Sequence, residues 1–524
     1  MFTRLLTSAA ILAISTTAAV ADYNLTILHT NDFHARFEPI SKYDSSCGEE
    51  DNAEGKCFGG SARLATAIND ARARSGNSIL VDGGDQFQGS LFYTYYKGKL
   101  AAEMMNEMGY TAMTVGNHEF DDGPEVLKGF ADAVNFPVLM SNADLTRENL
   151  LKDIIKKSVV IEQNGERIGL IGLTPTDTDE LASPGPNVLF SDPIAAVQGE
   201  VDKLTAMGVN KIIVLSHSTY QVDQAIAAKT TGVDVIVGGH SNTLLSNTNE
   251  RAEGPYPTMV KNTAIVQAYA YGKFLGELNV TFDDDGNIMQ AVGEPLVMDN
   301  TVNEDAATKS RIAEAAIPLG NIRAKVVANS SAIIQGERDV CRIQECEMGN
   351  LVADAMLDNV ADQGVTIAIA NSGGLRASID AGEVTMGEVL TVLPFSNTLA
   401  TFEISGQVVI DALENGVSQV EDVKGRFPQV AGLRFTWDPS IAPNEGRIVE
   451  VLVAKGNGFV PIDPAANYMV VSNNYVRTGG DGYKMFRSAQ NAYDYGPGLE
   501  VVLADYMASQ GSYVPYLDGR IAQK

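Results

Sequence analysis

The chain has 524 residues, of which 45% are hydrophobic and 20% charged, with a formal net charge of −28. That length exceeds what one hydrophobic core organises and predicts two domains, while the composition excludes a disordered or fibrous chain. The acidic balance excludes nonspecific binding to nucleic-acid polymers and adhesion to anionic membranes, and any anionic substrate must be met by local arginines or metal ions.

Residues 1–21 read as a secretory signal: Arg4, an apolar stretch from Leu5 to Ile14, and the small-x-small site Ala19-Val20-Ala21. The apolar stretch is too short to span a bilayer. The polar end from Leu517 to Lys524 lacks the hydrophobic tail of a lipid-anchor signal. The expectation is a periplasmic or secreted protein without a membrane anchor, as monomer or homodimer. The 4 cysteines fall into two local pairs. An oxidising compartment predicts disulfides Cys47–Cys57 and Cys341–Cys346, since neither pair has zinc-ribbon spacing.

From Asn24 to about Met298, short β-branched runs alternate with amphipathic stretches. The runs are 25–29, 78–81, 112–115, 167–173, 211–216 and 233–237, with helices expected at 60–74 and 99–108. The alternation predicts a layered α/β domain over residues 22–302. Asp283-Asp284-Asp285-Gly286-Asn287 lacks the later glutamate of an EF-hand and reads as a hairpin turn. Residues 303–324 read as a helical linker. A second α/β domain follows over 325–524, with strands expected at 366–370, 400–404 and 468–472.

All 5 histidines, His29, His34, His118, His217 and His240, lie in the first domain at or just beyond expected strand ends. Open α/β sheets place their sites there. Beside these histidines stand Asp32, Asp85, Asn117, Asp121 and Asn242. Asp, His and Asn together form an oxygen and nitrogen ligand set suited to Zn, Mn, Fe or Co rather than Ca. A carboxylate that bridges two such ions would let them clamp a phosphoryl displacement. A histidine left off the metals is available as an acid or a charge stabiliser. One Asp-x-His or Gly-Asn-His alone is compatible with a strand end whose polar groups are satisfied; five strand ends together are not.

Asp32-x-His34, Gly84-Asp85, Gly116-Asn117-His118-Glu119, Ser216-His217 and Gly239-His240 resemble the calcineurin-like metallophosphoesterase domain. The later motifs resemble the C-terminal domain of 5′-nucleotidases: Cys341-Arg342-x₃-Cys346-x₂-Gly349-Asn350, Asn371-Ser372-Gly373-Gly374-Leu375-Arg376, Leu393-Pro394-Phe395-Ser396-Asn397 and Gly479-Gly480-Asp481-Gly482-Tyr483. The resemblance runs over essentially the whole mature chain. It implies an N-terminal calcineurin-like metallophosphoesterase α/β sandwich followed by a C-terminal α/β substrate-binding domain.

The resemblance also implies roles. Two divalent metal ions, Zn foremost with Mn, Co or Fe as alternatives, would be held by Asp32, His34, Asp85 and Asn242 on one side and by Asp85, Asn117, His217 and His240 on the other, with Asp85 bridging. A metal-bound water would attack the phosphorus of a nucleoside 5′-monophosphate such as AMP. His118 would stabilise the developing charge, with Asp121 orienting its ring, and His29 would be structural. Arg342 and Arg376 would face phosphate or carboxylate, as a planar guanidinium suits. Phe395 and Tyr475 would stack on the base; the family often has Phe at the second position. Asn371, Asn397 and Asp481 would bond base or ribose. With catalysis and specificity on different domains, closure of the cleft between them is expected for turnover, and residues 303–324 fit a hinge.

The same metal set would also serve a 2′,3′-cyclic-nucleotide phosphodiesterase or a UDP-sugar hydrolase. A nucleotide-binding protein that had lost catalysis would lack a ligand or His118, and none is missing. The chain contains neither a phosphate-binding P-loop sequence nor a Gly-x-Ser-x-Gly nucleophile motif.

Overall fold

A computed structural model describes residues 22–41, 47–395, 397–456, 458–494 and 496–524. The expected signal segment, residues 1–21, lies outside the described residues.

The first domain is built on two large sheets packed face to face. Along the first sheet the strand order is Ile288–Gly293, Phe274–Phe282, Tyr23–Thr30, Ser78–Asp82, Ala112–Thr114 and Val138–Leu139, the last four parallel. In the second the order is Thr258–Val260, Thr263–Val266, Val235–Val237, Ile212–Ser216, Glu166–Leu173 and Ser158–Gln163, the middle four parallel. Alternation along each strand explains the layers. Leu25, Ile27, Ile79 and Val81 meet Leu170, Ile213, Leu215, Val235 and Val237 between the sheets. The intervening Leu28, Leu80 and Met113 turn outward into a core shared with helices Ser61–Ser75 and Lys99–Met108. On the other sheet Ile171, Val214 and Ile236 turn outward toward helices Pro193–Ala206 and Tyr220–Lys229. Strands covered on both faces must be apolar throughout, which is why these runs are nearly continuous. The Asp283 stretch forms the expected turn between Phe274–Phe282 and Ile288–Gly293, with Gly286 N–H donating to Asp283 C=O at 3.0 Å.

The helix after the first domain spans Ala306–Arg323 and begins at Asp305, whose carboxylate accepts the Thr308 N–H at 2.8 Å. It is not a free tether. Ile312, Ala315 and Leu319, spaced three and four apart, are buried in the first domain's core.

In the second domain a five-stranded sheet runs Pro428–Ala431, Ile367–Asn371, Asn467–Asn473, Leu399–Ser405 and Gln490–Tyr493. Ala368, Ala370 and Val471 face the core under helices Glu347–Asn359 and Leu499–Ser509. Ile367, Ile369 and Val470 face the core under Gly406–Gly416. Both disulfides are present, Cys47–Cys57 and Cys341–Cys346, with Cα separations of 5.9 and 5.1 Å.

Candidate active site

Five strands of the two packed sheets end on one rim, and the residues just beyond them converge. Asp32 and His34 follow Tyr23–Thr30, Asp85 follows Ser78–Asp82, and Asn117 and His118 follow Ala112–Thr114. His217 follows Ile212–Ser216, and His240 and Asn242 follow Val235–Val237. His34, Asp85 and His118 lie close enough to share one ion, as do Asp85, His217 and His240, so Asp85 belongs to both groups. His217 Nε2 lies 2.9 Å from Asp85 Oδ2 and 3.9 Å from Asp32 Oδ1. His34 Nε2 lies 3.9 Å from each carboxylate.

The backbone is bent to achieve this. Asp32, His34, Asp85, His240 and Asn242 all have φ between 50° and 70°. Non-glycine residues occupy that region only where surrounding structure enforces it, and they cluster at functional sites. Here the enforcement is visible. Asp32 N–H donates to Gly84 C=O at 2.9 Å and His34 N–H to Asp85 C=O at 3.0 Å, which stitches the two loops together. At Gly116 the approach is so close that a Cβ would overlap the Asp85 carboxylate.

Two of the imidazoles are oriented by their other nitrogen. His217 Nδ1 donates to Gly83 C=O at 2.6 Å and His34 Nδ1 to Phe87 C=O at 3.1 Å. A carbonyl only accepts, so the proton sits on Nδ1 and Nε2 is the nitrogen left to face the cluster, where its deprotonated form can bind a metal. Two buried atoms of the expected ligand set, Asn117 Oδ1 and Asn242 Oδ1, have no hydrogen-bond partner among the described residues. Burying such groups unsatisfied is costly, and a cation would satisfy both. Burial opposes protonation of His217, yet Asp85 and Asp32 hold its pKa at about 10, so a cation binding at Nε2 takes the place of a proton. Burial keeps His34 and His240 neutral, at about 3. The donor set therefore fits divalent ions.

His118 is oriented differently. Its Nδ1 lies 2.7 Å from Asp121 Oδ2 across one turn, and its main-chain N–H donates to Asp85 Oδ1 at 2.9 Å. Burial would lower its pKa, but Asp121 and Asp85 raise it to about 9. A positive ring beside the cluster suits charge stabilisation.

The seven residues expected on the substrate side, Arg342, Asn371, Arg376, Phe395, Asn397, Tyr475 and Asp481, line a single cleft of about 550 Å³. The Arg376 guanidinium lies 5.3 Å from the Phe395 ring centre. Arg36 and Tyr271 of the first domain close the cleft's other side. Arg36 is two residues beyond His34, and the Tyr271 ring lies 5.6 Å from the His34 ring. The cleft thus lies beside the histidine cluster.

The calcineurin-like phosphoesterase family model matches residues 25–243, and the 5′-nucleotidase C-terminal domain model matches residues 324–488. A snake venom 5′-nucleotidase of Naja atra is 37% identical over 95% of this chain and 98% of its own length. The chain belongs to the 5′-nucleotidase family. The 5′-nucleotidase of Mus musculus is also 37% identical, over 96% of this chain and 91% of its own. Among solved structures, a 5′-nucleotidase precursor from Thermus thermophilus is 41% identical, with a TM-score of 0.65 over 96% of this chain and 99% of its own. The Haemophilus influenzae NAD nucleotidase is 27% identical, with a TM-score of 0.73 over 96% and 99%. The fold is that of the family: a metallophosphoesterase domain followed by the 5′-nucleotidase C-terminal domain.

Several residues around this site were given no role from the sequence. Glu119 is buried and accepts four main-chain N–H groups, from Asp85, Gln86, Phe87 and Gly116. Gln88 donates to Asp121 at 3.0 Å. Asn31 donates to Asp32 at 2.8 Å and accepts the Ala268 N–H at 3.0 Å. Arg338 joins Arg342 on the cleft. The signal for Glu119, a carboxylate inside a buried glycine-flanked motif, was present in the sequence; Tyr271 had none. His29, expected to be structural, is fully buried and bonds Tyr256 Oη at 2.8 Å.

Proposed function

We propose that this 5′-nucleotidase family member hydrolyses nucleoside 5′-monophosphates such as AMP to nucleoside and phosphate, in the periplasm or outside the cell. The observation that carries the reading is adjacency: the cleft that Phe395, Tyr475 and four arginines line includes Tyr271, whose ring lies 5.6 Å from that of His34 in the cluster around Asp85. Asp32, His34, Asp85 and Asn242 would hold one divalent ion, and Asp85, Asn117, His217 and His240 the other. When bound, such ions supply Lewis acidity and activate water for in-line attack on phosphorus.

This chain's own residues do the rest. Arg342 and Arg376 draw the anionic group out of solution toward an otherwise acidic protein. Phe395 and Tyr475 hold the base between flat rings, and Asn371, Asn397 and Asp481 fix base and ribose. His118, kept cationic and aimed by Asp121, stabilises charge as it builds on the phosphoryl oxygens. Because both domains line the cleft, binding couples to their relative placement. The two disulfides suit an oxidising compartment. No helix among the described residues is long and apolar enough to cross a membrane.

A second reading, cleavage of a nucleotide pyrophosphate, is favoured by Arg36 and Arg338, which add cationic charge beyond what one phosphate needs. The Haemophilus NAD nucleotidase supports it as a relative. The test follows the products of each substrate, adenosine and phosphate from AMP, UMP and glucose 1-phosphate from UDP-glucose, and the ring-opened monophosphate from 2′,3′-cyclic AMP, with Zn²⁺ or Mn²⁺, before and after chelation, beside Asp85→Asn. Metal-dependent release from AMP, lost in the variant, supports the first reading; preference for UDP-glucose favours the second. No turnover of any substrate rejects both.

A further inference from the structure

Tyr475 carries a hydroxyl that base stacking does not use. It donates to Asp481 Oδ1 at 3.1 Å and accepts the Asp481 main-chain N–H at 3.1 Å. The other carboxylate oxygen, Oδ2, accepts from Asn371 Nδ2 at 2.7 Å. Asn371 Oδ1 in turn accepts from Asn473 Nδ2 at 2.9 Å, and Asn473 is buried at the end of its strand. Asp481 is thus gripped by one partner on each oxygen. Its backbone is left-handed, with φ 49°, a conformation that needs external support in a non-glycine residue. The preceding residue explains why the loop can sit here. A Cβ at Gly480 would collide with the Tyr475 ring, so glycine lets the loop lie against the ring and bring Asp481 within reach of the hydroxyl.

A carboxylate offers about four lone-pair directions. Two are used by Tyr475 and Asn371, which leaves one on each oxygen, and Asp481 lines the cleft. Two free acceptor positions on adjacent oxygens match the paired O–H donors of a vicinal diol, as acidic residues bind ribose hydroxyls elsewhere.

We propose that the Tyr475 hydroxyl is a positioning group that holds Asp481 to receive the 2′- and 3′-hydroxyls of the substrate, and so makes the enzyme select ribonucleotides over 2′-deoxyribonucleotides. The inference rests on the nucleotidase reading above and adds a discrimination to it. A Phe here keeps the stacking ring but leaves Asp481 held on one oxygen only. The carboxylate then turns more freely and greets a diol less well, whereas a substrate with a single ribose hydroxyl loses little.

The experiment is kcat/KM for AMP and for 2′-deoxy-AMP, in wild type, Tyr475→Phe, Asp481→Ala and the double variant, with thermal melting of each. The expected result is a fall of about three- to tenfold in the AMP to deoxy-AMP ratio in Tyr475→Phe. The change falls in KM for AMP, and the ratio does not fall further when Tyr475→Phe is added to Asp481→Ala. A merely structural role lowers both substrates together. An unchanged ratio in Tyr475→Phe, or an equal further fall in the Asp481→Ala background, overturns the proposal. Failure of the wild type to turn over AMP at all rejects the nucleotidase reading itself, and the two failures are therefore distinct.

Discussion

The buried carboxylate of Glu119 accepts the main-chain N–H of Asp85 at 3.0 Å, and the same carboxylate accepts from Gly116 at 2.6 Å. Glu119 therefore ties the loop that carries Asp85 to the loop that carries Asn117 and His118. With Gln86 and Phe87 also donating, at 2.8 and 3.2 Å, it works as the shared acceptor inside a nest of amides, while burial and the Asp85 charge push its pKa up to about 7.

Glu119→Gln replaces half of that acceptor with an N–H₂ group facing donors. Loss of buried hydrogen bonds to a charged group costs about 1.5–3 kcal/mol. The expected outcome is a destabilisation of that size in denaturant titration, together with at least about a tenfold loss of AMP turnover as Asp85 shifts. Wild-type turnover in a folded Glu119→Gln protein contradicts this role.

The strand ends were legible because strands buried on both faces need continuous apolar runs, and because four histidines with Asp and Asn stood just past those runs. The bends that make the site were not legible. Left-handed φ at Asp32, Asp85 and His240 arises from bonds between loops far apart in sequence, such as Asp32 N–H to Gly84 C=O. Tyr271 comes to the cleft because its N–H donates to Asp32 C=O at 2.7 Å, a contact no local pattern announces. The helix Ala306–Arg323 read as a linker by position; its apolar residues are spread around the helix, so the burial of Ile312, Ala315 and Leu319 in the first domain's core was not legible.

Asp121 should matter to catalysis through His118. It holds the Nδ1 side of the ring and, with Asp85, raises the pKa to about 9 against the effect of burial. A raised pKa means that the cationic form is complete below the ordinary value and is lost as pH rises through the folded one. Asp121→Asn removes one of the two carboxylates. The expected outcome is a kcat lower by about 10²-fold or more, and an alkaline limb of the pH–kcat profile displaced to lower pH. A limb that stays in place would show that another group sets it.

Divalent ions should stabilise the folded protein as well as activate it. A ligand that binds only the folded state at a hundredfold above its Kd adds about 2.7 kcal/mol. Chelation is expected to lower the melting temperature and abolish turnover, and Zn²⁺ or Mn²⁺ to restore both. In Asp85→Asn, which removes the carboxylate common to both histidine groups, the metal-dependent shift in melting temperature should shrink sharply. An equal shift in the variant would place the ions elsewhere.

Phe395 offers a test that separates the cleft from the cluster. Its ring lines the cleft and lies under the Arg376 guanidinium, with 5.3 Å between them. Base stacking on an aromatic side chain is worth about 1–3 kcal/mol, so Phe395→Ala should raise KM for AMP by about 5- to 150-fold. A phosphate ester without a base, such as glycerol 3-phosphate, has no stacking to lose, and its kcat/KM should fall much less. The freed Arg376 side chain adds a smaller loss common to both substrates, since the cation–π contact at such a site contributes about 0.5–1 kcal/mol. The ratio of the two effects isolates the base. Equal losses on both substrates would mean that Phe395 shapes the cleft without holding the base, and would move base recognition to Tyr475.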